Sequence, residues 1–319
     1  MAAQRLFPPL KAAEAKLRVE QTLRQRQELH PNRSRWTLEL LLGDCLDFVK
    51  VKSRGALKQV MKRLGVSYQR GRTYFHSPDP AYGEKLAYVR QVIASYGEGR
   101  CAVLFQDELT YCNHAPAGPD HCPQREQPRA GLAVGGERSW RIAGAVDIFS
   151  GRFISIQRGK ITVPAFVEFL RQVTARYPGV ETIYLVVDNW PVHFHPDVIE
   201  ALQEQQCPYP FQLPASWQGL EPSGRYKGEN LPVQLVPLPT YSPWLNPSEK
   251  IWRWLKKDLL HNHSFANDFK ELKVKVEEFL QGLSEPSTQT LSVTGLLKPN
   301  GIYADQLKAA GVAFPTRRR

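Results

Sequence analysis

Two short apolar runs, each closed by an aspartate, constrain the fold of this chain more than any other feature: Cys101-Ala-Val-Leu-Phe-Gln before Asp107, and Thr182-Ile-Tyr-Leu-Val-Val before Asp188. Runs of this length, rich in β-branched and aromatic residues, read as buried strands. A parallel or mixed sheet presents the side chains at its strand ends to a ligand crevice. Between the two runs, Ser139 to Phe149 and Gly151 to Arg158 read as two more strands, and Val163 to Tyr177 as a helix. The order strand-strand-strand-helix-strand predicts an α/β domain with a mixed sheet flanked by helices.

A third carboxylate stands in Leu238 to Lys257, LPTYSPWLNPSEKIWRWLKK. Pro243 and Pro247 stiffen the approach, Asn246 is placed to cap, and Pro247 suits the first helical position. Glu249 then falls at the third helical position. Asn-Pro-Ser-Glu there is a capping arrangement in which the carboxylate bonds back to Asn246. Alternatively, Glu249 joins Asp107 and Asp188 in an all-oxygen site for magnesium or manganese, hard cations that also hold substrate phosphates. Such a site favours in-line displacement at phosphorus. Trp252, Leu255 and Leu259 share the inner face of the helix, and Arg253, Lys256 and Lys257 make its outer side cationic. Asn189, one residue after Asp188, is placed to support it by a hydrogen bond, and His193, five residues after, reads either as a group beside the site that orients a phosphate or assists proton movement, or as a satisfied structural histidine. Glu108 points away from Asp107 if the strand continues, and is not counted as a ligand.

The charge balance, 42 basic against 31 acidic residues for a net +11, favours a polyanionic partner. No apolar run is long enough to span a membrane, and the first residues lack a signal-peptide core, so the expected place is the cytoplasm, at the nucleoid. Five cysteines at irregular spacing argue for reduced thiols.

The amino-terminal third predicts an all-α DNA-binding unit. A charged helix over about Pro9 to Glu28 is followed by a polar break, a helix from Thr37 to Val49, a turn at Lys50 to Lys52, and a second helix capped by Ser53 and stopped by Gly65. That is a helix-turn-helix order. Leu57, Val60, Met61 and Leu64 would pack inward, leaving Arg54, Lys58, Lys62 and Arg63 for DNA. Val66 to Phe75 would form a small wing carrying Arg70 and Arg72. The expected domains are a leading helix and linker over 1–34, the helix-turn-helix over 35–76, a linker and helix over 77–99, a catalytic domain over 100–285 and a tail over 286–319. Within the catalytic domain lie a loop at 112–139 and an insertion at 207–232.

The segments FQDE (Phe105 to Glu108), VVDNWPVH (Val186 to His193) and PTYSPWLNPSEKIW (Pro239 to Trp252) resemble the three catalytic blocks of DDE transposases. The similarity is to the mariner superfamily, and within it to the six-thirty family of bacterial insertion sequences. It runs from about Arg35 to about His263 and takes in HSPDPAYGEKL (His76 to Leu86). It implies an RNase H-like, retroviral integrase-like catalytic domain whose acidic residues are Asp107, Asp188 and Glu249. It also implies two magnesium ions per site, with manganese as a substitute: Asp107 shared by both ions, Asp188 on one and Glu249 on the other. The implied activity is binding of terminal inverted repeats in double-stranded DNA, excision by phosphodiester hydrolysis, and joining of the 3′ ends to a TA target, by a homodimer or higher assembly on DNA with no membrane partner. The loop at 112–139 occupies the position at which mariner-like enzymes clasp a partner subunit.

One departure is the 61 positions from Asp188 to Glu249, where the superfamily has a few tens. The excess falls on the insertion at 207–232, which can loop out without moving the flanking strand and helix. Only 106 residues precede Asp107, room for one DNA-binding unit and a leading helix where the family commonly has two units. Two other functions fit the same residues: a silent DNA-binding regulator descended from such an enzyme, and an RNase H-like nuclease that does not join strands.

Overall fold

The computed structural model describes residues 9–45, 51, 53–68, 76–96, 100–123, 125–211 and 213–315. The chain divides into two compact units, Met1–Tyr74 and Phe75–Arg319. In the first, α1 (Pro9–Arg24), α2 (Arg26–Leu29), α3 (Leu38–Leu40) with a π-helical turn at Leu41–Cys45, and α4 (Arg54–Arg63) follow in order. Thr37 and Ser53 accept amide hydrogens at the starts of α3 and α4. Gly65, at φ +75°, ends α4 in a conformation that costs a glycine little. Leu57, Val60, Met61 and Leu64 turn inward against Leu41 and against Ala15 and Val19 of α1. Arg54, Lys58, Lys62 and Arg63 lie on the exposed side, with Arg54 paired to Glu39 at 2.5 Å. The wing residues Arg70 and Arg72, the second half of the helix expected to Val49, and the Arg317 to Arg319 tail lie outside the described residues.

The second unit is built on one five-stranded sheet: β1 (Cys101–Cys112), β2 (Ser139–Asp147), β3 (Phe153–Arg158), β4 (Thr182–Val187) and β5 (Val233–Pro237), in the order β3-β2-β1-β4-β5. β1, β2 and β3 form an antiparallel meander, and β4 and β5 add in parallel. The parallel strands are buried on both faces, which is why they read as nearly continuous apolar runs.

Side-chain alternation sorts the core into two layers. Val103, Phe105, Ile142, Val146, Val186 and Val236 face α5 (Tyr82–Ala94) and four later helices: α8 (Ser248–Leu255), α9 (Phe269–Gln281), α10 (Thr288–Val293) and α11 (Ala304–Ala309). Ala102, Leu104, Ala145, Leu185 and Leu235 face α6 (Val163–Ala175) and α7 (Pro196–Ala201). Leu291, Leu296, Tyr303 and Leu307 bring the carboxy-terminal segment into the first layer. Among the described residues, no helix is long and apolar enough to cross a membrane.

The insertion after Asp188 docks on the α6 and α7 face. Arg171 of α6 grips Glu229 through two hydrogen bonds, at 3.0 and 2.5 Å, and Glu200 of α7 accepts the Tyr226 amide. Tyr226 is buried, and Phe211 stacks on Phe194 at 4.5 Å. Phe211, Tyr226 and Glu229 of the insertion therefore sit across the sheet from α8, while Tyr209 near its start meets Tyr88 of α5 edge-on at 5.8 Å, on the α8 side. The loop at 112–139 is tied at its base to 262–267 through Asn113, Gly118 and Val134.

Candidate active site

Asp107, Asp188 and Glu249 line one cleft of about 600 Å³, together with Asn189, Trp190, Pro191, the 238–243 loop and Asn246. Asp107 and Asp188 share the parity of Phe105 and Val186, so both face α8. Asp107 is not the last residue of its strand. β1 runs on to Cys112 against β2, while its parallel pairing with β4 stops at Phe105 opposite Val186. What ends near Asp107 is the neighbour, and this opens the crevice.

Side chains at the start of α8 reach two carbonyls of β1. Ser248 Oγ donates to the Phe105 carbonyl at 2.6 Å, and Asn246 Nδ2 donates to the Gln106 carbonyl at 2.8 Å. The Asn-Pro-Ser motif thus stitches the start of α8 to β1 directly before Asp107. Asn246 Oδ1 also accepts the Ser248 amide at 3.1 Å. Glu249 does not close a capping box: α8 begins at Ser248 with Pro247 in the cap position and no side-chain cap bond. Its carboxylate is left to the cleft.

Asp107 is held by a residue that periodicity assigns to packing. Trp252 Nε1 donates to Asp107 Oδ2 at 2.9 Å, with the indole otherwise buried edge-on against Phe153. Gly144, the β2 partner of Asp107, makes room for it. A Cβ at 144 would meet Phe153 Cζ at 2.3 Å and Trp252 Cη2 at 3.0 Å. Burial, then the charges of Glu249, Glu108 and Asp188, push the Asp107 carboxyl up to about 8. Burial also raises Glu249, against the pull of Lys256 and Arg253 on the exposed side of the helix.

Asp188 is supported from the other side of the sheet. Its Oδ1 accepts the Trp190 amide at 2.9 Å and faces His193 Nδ1 at 3.3 Å. The second ring nitrogen, Nε2, donates to Glu108 Oε1 at 2.9 Å, and Gln106 Nε2 donates to the same oxygen at 2.7 Å. Glu108 does point away from Asp107, and there it clamps His193. The imidazole is fully buried; burial opposes its charge, but Glu108 and Asp188 outweigh that and raise it to about 10. Burial likewise works against ionised Asp188, yet the His193 hydrogen bond and charge and the Trp190 amide hold it below the usual carboxylate range. Glu108, Asp188 and His193 also have the spacing of a metal-binding group among the described residues. With both ring nitrogens engaged by carboxylates, the imidazolium itself supplies the positive charge there.

Asn189 donates to the Leu238 carbonyl at 2.8 Å and does not bond Asp188; it ties the β4 end to the loop after β5. Arg253, Lys256 and Lys257 are exposed beyond Glu249. Arg54, Lys58, Lys62 and Arg63 belong to the first unit. Periodicity did not find Trp252 and Glu108 as partners of the site. Their available signals were three positions from Glu249, which is one helical face, and a second acid beside Asp107.

A mixed sheet ordered β3-β2-β1-β4-β5, with helices on both faces and a helical unit ahead of it, defines an RNase H-like protein. The chain belongs to the DDE superfamily endonucleases, whose family pattern matches residues 102–273. It is 24% identical over 253 residues to the uncharacterized 39 kDa protein of insertion element IS630 from Shigella sonnei, a match covering 79% of this chain and 66% of that protein. Its fold resembles the mariner Mos1 paired end complex with Mg, with a TM-score of 0.54 at 14% identity over 92% of this chain and 79% of that one. A pre-cleavage Mos1 transpososome gives a TM-score of 0.51 at 12% identity, covering 98% and 91%.

Proposed function

We propose that this chain is a DNA transposase that binds terminal inverted repeats, excises the element by metal-dependent phosphodiester hydrolysis and joins its 3′ ends to target DNA at TA. The observation that carries the reading is the convergence of Asp107, Asp188 and Glu249 on one cleft. Family membership and the similarity to an insertion-element protein support it. The Mos1 relatives in paired end complexes with Mg and with Mn support the choice of cation and of an assembly on DNA ends.

The residues fit a divalent metal. Burial and then the charges of Glu249, Glu108 and Asp188 raise the Asp107 carboxyl, and the part due to those like charges is what a cation relieves. Asp107, Asp188 and Glu249 would hold magnesium or manganese, which would supply charge to activate the attacking oxygen and to stabilise the leaving one. The protein's own contribution is position. Trp252 sets the rotation of Asp107, His193 sets Asp188, and Ser248 with Asn246 fixes α8 and hence Glu249. Arg253, Lys256 and Lys257 offer phosphate contacts beside the cleft, and Arg54, Lys58, Lys62 and Arg63 offer them from α4.

The test is cleavage of a donor carrying the element's own ends, with 3′ and 5′ strands labelled separately. Nicking is expected with magnesium and none with EDTA, followed by transfer of the 3′ end to a target. Glu249→Gln should abolish cleavage and leave repeat binding in place. A Glu249→Gln protein that cuts at the normal rate refutes the site. Hydrolysis without transfer of a pre-cut end would mark a nuclease, and repeat binding without nicking a regulator.

A further inference from the structure

The segment from His76 to Lys85 stands outside the catalytic acids, yet it grips the loop that forms one wall of their cleft. Ser77 Oγ donates to the Thr240 carbonyl at 2.5 Å, and Asp79 Oδ2 accepts the Thr240 amide at 2.9 Å. The same Asp79 oxygen receives Lys85 Nζ at 2.8 Å, in an ion pair whose side chains are only 4% and 8% exposed. Asp79 Oδ1 accepts the Ala81 amide at 2.9 Å. A buried pair of this kind adds little net stability, because desolvation cancels most of the attraction. What it does provide is a fixed anchor: both backbone groups of Thr240 are taken.

The next residue is the one that anchor constrains. Tyr241 has φ +51°, in the left-handed region that favours glycine and asparagine, and the residue is 77% exposed where it lines the cleft. On its other flank, Ser242 Oγ donates to the Pro239 carbonyl. Farther back, Asn189 holds the Leu238 carbonyl. A strained aromatic residue persists where its surroundings over-determine the backbone. The ring is not retained for packing, since it stands in water.

We infer that Tyr241 is a stacking platform for a nucleobase lying outside its helical stack, beside the phosphodiester held at Asp107, Asp188 and Glu249. The inference rests on the transposase reading of that cleft. Pro239, Pro243 and Trp190 line the same cleft as Tyr241 and give it apolar surface. Inside an intact duplex both faces of a base are covered by neighbours, so an aromatic side chain reaches a base face only where the stack is opened. Stacking of this kind tolerates any base. It therefore acts on the opening of DNA at the cut and not on recognition of the repeat.

The experiment uses the full chain, magnesium and the element's own ends, with the nucleotides flanking the scissile bond either paired or mismatched. On paired ends Tyr241→Ala should cut roughly five- to a hundredfold more slowly, the worth of one stacked base. Tyr241→Phe and Tyr241→Trp should stay near the wild-type rate, and a mismatched flank should restore Tyr241→Ala to within a few-fold. In EDTA, 2-aminopurine placed at the flanking position should be quenched by the wild-type protein and not by Tyr241→Ala, a readout that needs no chemistry. Wild-type cutting of paired ends by Tyr241→Ala, a defect no mismatch relieves, or equal quenching by both proteins overturns the inference. Failure of the cleft reading shows separately, as undiminished cutting by Glu249→Gln.

Discussion

Replacing Trp252 by phenylalanine tests whether the site depends on the indole N–H or only on a ring in the core. The substitution keeps an aromatic beside Phe153 and removes the donor 2.9 Å from Asp107 Oδ2. A hydrogen bond to an ionised acceptor contributes about 1.5–3 kcal/mol. If that energy holds the metal-binding rotamer of Asp107, the loss corresponds to a rate roughly ten- to a hundredfold lower. Single-turnover cleavage of pre-bound ends, followed over a range of magnesium concentrations, separates the effects. The rate at saturating DNA should fall and the magnesium requirement rise, with repeat affinity unchanged. Losing a donor to the ionised form also raises Asp107 further, so the acid limb of the pH–rate profile should move to higher pH. A variant that melts earlier, yet matches the wild-type rate and magnesium dependence within twofold, would show that Trp252 is core alone.

Because Asp107 is pushed up to about 8 in the folded chain from its ordinary value of 3.8, its protonated form contributes stability below pH 4 that is lost as pH rises toward 8. In EDTA, melting temperature should therefore fall from pH 5.5 to pH 8 more steeply in the wild type than in Asp107→Asn, and magnesium at pH 8 should reverse the difference; parallel pH profiles would refute it. His193→Gln removes the charge between Glu108 and Asp188 and should cost about 3 kcal/mol in denaturant unfolding, as for a broken buried pair, with part regained in Glu108→Gln/His193→Gln. Lys58→Ala and Lys62→Ala should each lower the salt slope of repeat binding by about 0.9, while Arg54→Ala, already paired with Glu39, should lower it less; equal slopes in all three would refute the assignment of that helix face.

Much of this architecture was legible because it depends on local periodicity. Apolar runs at 101–106 and 182–187 became the paired parallel strands, Ser53 and Gly65 bounded α4, and the parity that sends Glu108 away from Asp107 holds in the sheet. The helix start at Glu249 was legible only in part. Asn-Pro-Ser-Glu can close a local capping box, but Asn246 and Ser248 instead donate to the carbonyls of Gln106 and Phe105 in β1, and the helix begins one residue later.

The sequence by itself indicated the strands, the main helices and the family blocks with their three candidate acids, since each depends on residues within a few positions of one another, but it read as a tail the segment that folds into α10 and α11. Only the tertiary structure decided what holds those acids: Trp252 reaches Asp107 across 145 positions, His193 reaches Glu108 across 85, and Asp79 reaches Thr240 across 161. Such contacts follow from strand register and from the helix packed over each face. Neither of these is a property of any one segment, so no local pattern records them.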